Sequence, residues 1–138
     1  VNDIDTVKCK IIDMTPNFSF EKLHAYQVAR LLVKSVYHIT EDFPSFEKFG
    51  LSSQLQRAVV SIASNIAEGS GRKSIKEKIH FLEIAYGSLL EVYCQLQLAM
   101  DLCYICEAKF LELKTTIFEL SRLIGGLNAS FVSSKELG

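Results

Sequence analysis

The sequence predicts an all-α protein folded as an antiparallel, up-down-up-down four-helix bundle. Apolar residues recur at helical spacing, the two prolines and seven glycines fall mostly between these segments, and no segment alternates as a strand would. A length of 138 residues is enough for one domain with its own core. We expect the bundle over residues 20–131, between a loosely ordered N-terminal arm (1–19) and a C-terminal tail (132–138).

The first two helices are bounded by proline, glycine and a capping pattern. The first is predicted over 20–39, because the residue preceding Pro44 is disfavoured in a helical conformation. The second is predicted to begin at Ser53, which forms the S-x-x-Q pattern with Gln56, and to end near Gly69.

The last two helices are placed by a capping pattern and by glycines. Ser74 and Glu77 form a second capping pattern, which predicts a helix from Ser74 to about Leu102. The fourth helix is predicted over 107–131, with Gly125-Gly126 as a weak point where it could kink or end.

More apolar residues are present than one bundle needs for its core. Each helix has an inner stripe, which on the third helix includes Tyr86. Outside these stripes, Leu111 and Phe118 lie seven residues apart on the fourth helix, and Phe81 and Val92 form a second stripe on the third. Exposed apolar patches often mark interfaces, so these four residues are predicted to form a homo-oligomer contact. The alternative is that the monomer packs more tightly.

Polar residues line one side of the second helix. Arg57, Asn65 and Glu68 are predicted to fix the turn at Gly69 through hydrogen bonds, because a carboxylate is favoured beside the free amides of a helix N-terminus. The alternative is an ordinary solvated face.

A basic cluster lies at the start of the third helix. It comprises Arg72, Lys73, Lys76 and Lys78, opposed within this segment by Glu77 alone. Cations beside the free amides of a helix N-terminus favour a bound anion, and we predict contacts with nucleic-acid phosphates. A solvated basic helix end is the alternative.

Two E-x-x-H tetrads raise the possibility of a metal site, since di-iron carboxylate bundles use this motif. They are Glu21 with His24 and Glu77 with His80. The second pair lies roughly 150° from the inner stripe of its helix, whereas metal ligands must project inward. We therefore expect no metal and no cofactor.

The remaining motifs do not predict catalysis. Cys103 and Cys106 have C-x-x-C spacing, but a structural zinc site needs a second ligand pair, and redox cysteines favour helix N-termini rather than a C-terminus. No histidine lies near a serine or cysteine nucleophile in the sequence, so we expect no enzyme activity and no small-molecule substrate.

Composition excludes further classes. With 49% hydrophobic residues, 22% charged residues and a net charge of −1, the chain is neither disordered nor a strongly basic, histone-like binder. It has no apolar run long enough for a membrane span, and its start lacks the pattern of a signal peptide, so a cytoplasmic protein without a membrane partner is expected.

The stretch over 51–72 contains the string S-I-x-x-N-I-A-E-G-x-G-R, and 81–91 reads F-L-E-I-A-Y-G-S-L-L-E. With these motifs, residues 18–130 resemble the bacterial proteins encoded in intervening sequences of 23S ribosomal RNA genes. The chain is also similar to the accessory variability protein of diversity-generating retroelements, a basic pentamer that binds nucleic acid and the reverse transcriptase. These resemblances imply a non-enzymatic homopentamer.

Together, these observations predict an oligomeric scaffold or an RNA- or DNA-associated protein with the basic cluster as its phosphate contact. Two alternatives remain open. One is a protein–protein adaptor that uses Leu111 and Phe118 and binds no nucleic acid, and the other is a carboxylate and histidine metalloprotein.

Overall fold

The computed structural model describes the backbone of residues 17–137 and the side chains of residues 17–134. Residues 1–16 of the predicted arm lie outside this range. The four helices are α1 (His24–Thr40), α2 (Leu51–Ser70), α3 (Ile75–Asp101) and α4 (Glu107–Leu137). Two short 3-10 turns, Ser19–Lys22 and Ser45–Glu47, precede α1 and α2. No strand occurs in the described range, so the predicted all-α four-helix fold is confirmed.

Each helix packs against the next one along the chain, and α4 closes the bundle by packing against α1. Residues early in one helix contact residues late in the next and the reverse, which is the arrangement of antiparallel neighbours. The contacting pairs include Gln54 with Gln95, Ser61 with Ser88, Tyr93 with Phe118, and Lys78 with Phe131.

The core is built from the inner stripes of all four helices. Its largest fully buried side chains are Leu32, Leu55, Ile62, Ile66, Leu82, Leu89, Leu96 and Leu120. Burying each such side chain contributes about 1.5–3 kcal/mol.

Two predictions for α3 are wrong. Val92 was expected in an exposed stripe, but it is completely buried in the core. The buried face of α3 is wider than one stripe because this helix packs against both α2 and α4. Tyr86 was expected in the core, but it is 42% exposed. It lies beside Gly125, which has no side chain to cover the ring.

The helix boundaries differ from the predictions at three places. The first helix begins at His24 rather than residue 20, because Leu23 has an extended backbone. The second begins at Leu51, because the Glu47 carboxylate accepts a hydrogen bond from the Leu51 N–H at 3.4 Å. The fourth is predicted to end at residue 131 but continues through Gly125-Gly126 to Leu137.

The predicted start of α3 is confirmed. Ser74 is its N-cap, and the Ser74 hydroxyl accepts a hydrogen bond from the Glu77 N–H at 3.1 Å. This bond satisfies one of the free amides at the helix N-terminus.

Candidate nucleic-acid interface

The predicted basic cluster lies at the α2–α3 turn, at one end of the bundle. Lys73 and Lys76 are exposed there, while Arg72 and Lys78 are half-buried. The structure therefore brings all four cations to one end of the bundle, but their surroundings differ.

Arg72 makes contacts within the turn. Its guanidinium donates a hydrogen bond to the Glu68 carboxylate and lies 4.5 Å from the centre of the Phe81 ring. An ion pair between such partly exposed side chains is favourable by about 0.2–1 kcal/mol. The predicted structural role of Glu68 is thus exerted through Arg72 rather than through the amides of the turn.

Lys78, near the start of α3, contacts both α2 and α4. Its ammonium donates a hydrogen bond to the Ser70 carbonyl at 2.8 Å and lies 5.3 Å from the centre of the Phe131 ring. Because these contacts occupy the ammonium, the exposed ammonium groups of the cluster are those of Lys73 and Lys76.

Gly69 lets α3 approach α2 at this turn. A Cβ atom at Gly69 would lie 2.8 Å from the Phe81 Cβ, which is closer than two such carbons can approach. Phe81 is half-buried between this glycine and Arg72. It therefore forms part of the turn and does not join Leu111 and Phe118 in one surface.

Asn65 does not fix the turn as predicted. Its amide donates hydrogen bonds to the carbonyl and the hydroxyl of Ser61. The Ser61 hydroxyl in turn lies 2.9 Å from the Ser88 hydroxyl of α3. This polar chain links α2 to α3 in the middle of the helices. Arg57 is exposed on α2, and among the described residues no hydrogen bond of its side chain is found.

The two α4 residues that were predicted to form an oligomer contact are exposed on the surface of the bundle. Leu111 and Phe118 are each 49% exposed and share a shallow groove with Lys114, Thr115 and Arg122. The Phe118 ring packs edge-on against Tyr93 of α3, with 5.7 Å between the ring centres. An apolar stripe flanked by cations therefore runs along the outside of α4.

A second exposed apolar surface, which was not predicted from the sequence, lies at the opposite end of the bundle. Phe46 and Phe49 follow Pro44 in the loop between α1 and α2, and they are 76% and 90% exposed. Their spacing of three residues, directly before a glycine, is the feature that could have revealed them.

The residues of the tetrads and the cysteines lie at the surface. His24 lies 3.7 Å from the Glu119 carboxylate, and Glu77 and His80 are exposed. Cys103 and Cys106 are free and exposed in the turn before α4. No three histidine, cysteine, aspartate or glutamate side chains come together as metal ligands within the described part of the chain. None of the helices described is both long and apolar enough to cross a membrane.

A four-helix fold with a cationic turn at one end defines the chain as a helical-bundle protein. A family model described as 23S rRNA-intervening sequence protein matches residues 21–126, which is more than half of the chain. The chain therefore belongs to the 23S rRNA-intervening sequence protein family.

A solved structure has a similar fold. It is a protein of unknown function from the S23 ribosomal protein family of Bacteroides thetaiotaomicron, with 20% sequence identity and a TM-score of 0.68. The match covers 75% of this chain and 97% of the other. At this identity the similarity shows the fold alone. A search of curated proteins found no significant match.

Proposed function

We propose that the chain is a non-catalytic scaffold that assembles with copies of itself and holds the backbone of RNA or DNA at its basic end. The observation that carries this proposal is the exposure of Leu111 and Phe118 on α4. The inner face of α4 already completes the core through Leu113, Ile117 and Leu120. Covering the outer pair with a second copy would remove further apolar surface from water.

Lys73 and Lys76 support the nucleic-acid part of the proposal. Both are exposed beside the first turn of α3. Lysines attract phosphates irrespective of base sequence, but one copy offers few such contacts. A ring repeats the pair around its axis and raises the overall affinity through multivalency. Five copies are the number that the family resemblance favours.

Charge introduced on α4 tests the assembly. The double variant Leu111→Glu and Phe118→Glu should give a folded but smaller species by light scattering, because the two new carboxylates of each copy would be buried without partners at its contact with the next copy. The matched control is Leu90→Glu with Leu98→Glu, which alters two exposed leucines of α3. A native chain that is a monomer, or an unchanged mass of the α4 variant, contradicts the proposal.

A salt series tests the nucleic-acid contact. Affinity for a fluorescein-labelled single-stranded RNA, measured by anisotropy, should fall steeply between about 50 and about 200 mM salt. Lys73→Gln with Lys76→Gln should weaken binding and flatten this dependence. Lys34→Gln with Lys48→Gln, which removes the same charge from exposed lysines elsewhere, should have a smaller effect.

Two results would favour the alternatives. Assembly without binding of RNA or DNA would contradict the nucleic-acid part and favour a protein–protein adaptor. Stoichiometric iron or manganese in the purified protein would contradict the non-catalytic scaffold and favour a metalloprotein.

A further inference from the structure

The end of the bundle opposite the basic cluster carries apolar side chains that the described part of the chain leaves uncovered. Phe49, Phe46 and Leu102 are 90%, 76% and 53% exposed. Fully burying a phenylalanine contributes about 1.5–3 kcal/mol, and these rings contribute almost none of it to the folding of one copy. We call this surface the acidic–aromatic end, for these three residues and the carboxylates around them.

The two phenylalanines lie three residues apart on one loop. Two turn hydrogen bonds run from the Lys48 N–H to the Ser45 carbonyl and from the Gly50 N–H to the Glu47 carbonyl. Side chains three residues apart on a 3-10 turn lie on the same side of it. From this spacing we infer that Phe46 and Phe49 face one ligand together.

This loop is anchored to the rest of the bundle. Phe43 is buried, and its ring centre lies 5.3 Å from that of Tyr104 in the turn between α3 and α4. Glu47 accepts a hydrogen bond from the N–H of Leu51, the first residue of α2. The exposed rings thus stand on a loop that is fixed on two sides.

Carboxylates outnumber lysines at this end of the bundle. Glu41, Asp42 and Glu47 lie in the loop between α1 and α2, while Asp101 ends α3 and Glu107 begins α4. The lysines there are Lys48 and Lys109, and Lys109 is paired with Glu112. Excess carboxylates repel the phosphates of nucleic acids and of anionic lipids. They attract lysine and arginine side chains.

The aromatic rings also favour a cationic ligand. The Lys48 ammonium lies 5.5 Å from the centre of the Phe49 ring, so the ring already faces a cation within the chain. The faces of aromatic rings attract ammonium and guanidinium groups and pack against their alkyl stems.

We propose that the acidic–aromatic end binds a basic, amphipathic segment of another protein. The apolar residues of that segment cover Phe46, Phe49 and Leu102, while its lysines and arginines pair with the surrounding carboxylates. The site lies at the opposite end of the bundle from Lys73 and Lys76, so it does not depend on the proposed nucleic-acid contact.

A designed peptide tests this proposal. The probe is a fluorescein-labelled helical peptide with leucines on one face and lysines and arginines on the other, and its control replaces the cations with glutamate. The native chain should bind the basic peptide and not the acidic one. Phe46→Ser with Phe49→Ser should weaken binding about tenfold or more.

The matched control variant is Phe18→Ser, which removes a phenylalanine that is 75% exposed beside Phe20 near the start of α1. It should bind the peptide like the native chain. Asp42→Lys with Asp101→Lys should weaken binding most at low salt, because both carboxylates are exposed and exposed charges are screened as salt rises. Equal thermal unfolding midpoints would show that all variants are folded.

Four results would overturn the proposal. The first is equal affinity of the native chain and the phenylalanine variant for the basic peptide, and the second is equal binding of the acidic peptide. The third is binding of phosphatidylserine vesicles or RNA that is lost in the phenylalanine variant, because another class of ligand would then use the rings. The fourth is a smaller native mass of that variant, because a second copy would then cover them.

Discussion

Gly69 shows how a single residue positions the basic cluster. Glycine is unfavourable in a helix by about 1 kcal/mol relative to alanine. At Gly69 the close approach of Phe81 leaves no space for a Cβ atom, and the Lys78 carbonyl lies 3.4 Å from the same point. The turn that presents Lys73 and Lys76 therefore depends on the absence of a side chain at this position.

We predict opposite effects of alanine at two helical glycines. Gly69→Ala should destabilise the fold by about 1–3 kcal/mol, because Phe81 must move. Gly87→Ala should stabilise it by about 0.5–1 kcal/mol, because a Cβ there meets no atom within 4 Å. Urea unfolding followed by circular dichroism measures both. A Gly69→Ala variant as stable as the native chain would contradict the close approach.

The pKa of Tyr104 depends on how the loop between α1 and α2 packs against this residue. Partial burial raises the pKa of the Tyr104 phenol, and the interaction with the Glu47 carboxylate raises this pKa further. Because the folded-state pKa lies above the unfolded one, the stability due to this difference is present below the ordinary pKa of tyrosine. It is lost as the pH rises through the pKa of the folded state.

Replacing Glu47 with glutamine should therefore lower the pKa of Tyr104 part of the way towards its ordinary value. The effect of burial remains, and the amide oxygen can still accept a hydrogen bond from the Leu51 N–H. Ultraviolet absorbance during a pH titration measures the shift, and Tyr104→Phe identifies the signal. An unchanged titration would mean that Glu47 does not interact with this phenol.

At the scale of helices, the sequence predicts boundaries that depend on neighbouring residues. The cap at Ser74 is such a case, because its partner Glu77 is three residues away. The start of α2 was missed because its capping carboxylate, Glu47, belongs to the preceding turn. The helix α4 does not end at Gly125-Gly126, because these glycines lie on the exposed side, where glycine removes no core contact, and it continues beyond the predicted residue 131 to Leu137.

We predict that Ser74→Ala destabilises the fold by about 1 kcal/mol, because the amide of Glu77 loses its acceptor. Ser64→Ala, at an exposed position within α2, should change the free energy of unfolding by less than about 0.5 kcal/mol. Urea unfolding at neutral pH compares the two. Equal effects would show that the cap contributes nothing specific.

The candidate site was predictable as a set of residues but not as a set of contacts. Sequence position was enough to group the four cations, because they lie within one turn and the start of one helix. It could not reveal that Arg72 pairs with Glu68 or that Lys78 reaches a carbonyl of α2. Likewise, helical periodicity placed Val92 outside the core, because it assumes that one narrow stripe is buried.

At the scale of the whole molecule, the net charge of −1 conceals a separation of charge. Cations gather at the turn between α2 and α3, whereas carboxylates gather at the other end around Phe46 and Phe49. A bundle with two such ends can hold an anionic and a cationic ligand at once, which suits the proposed role as a scaffold.

Self-assembly should also be visible in the thermal stability of the whole chain. If copies cover Leu111 and Phe118, the unfolding midpoint should rise with protein concentration, because association stabilises the folded state by mass action. The α4 double variant with two glutamates should lose this dependence. Scanning calorimetry over about a hundredfold range of protein concentration measures this shift of the midpoint. A midpoint independent of concentration in the native chain would contradict assembly.

The pairing of α2 with α3 has a consequence for the order in which the chain loses structure. These two helices pack more extensively than any other pair, and only residues 71–74 separate them. Joining them requires the closure of a very short loop, for which the entropy loss is small. Backbone amides in the middle of this hairpin should therefore exchange with deuterium last, after those of α1 and the far end of α4 have exchanged.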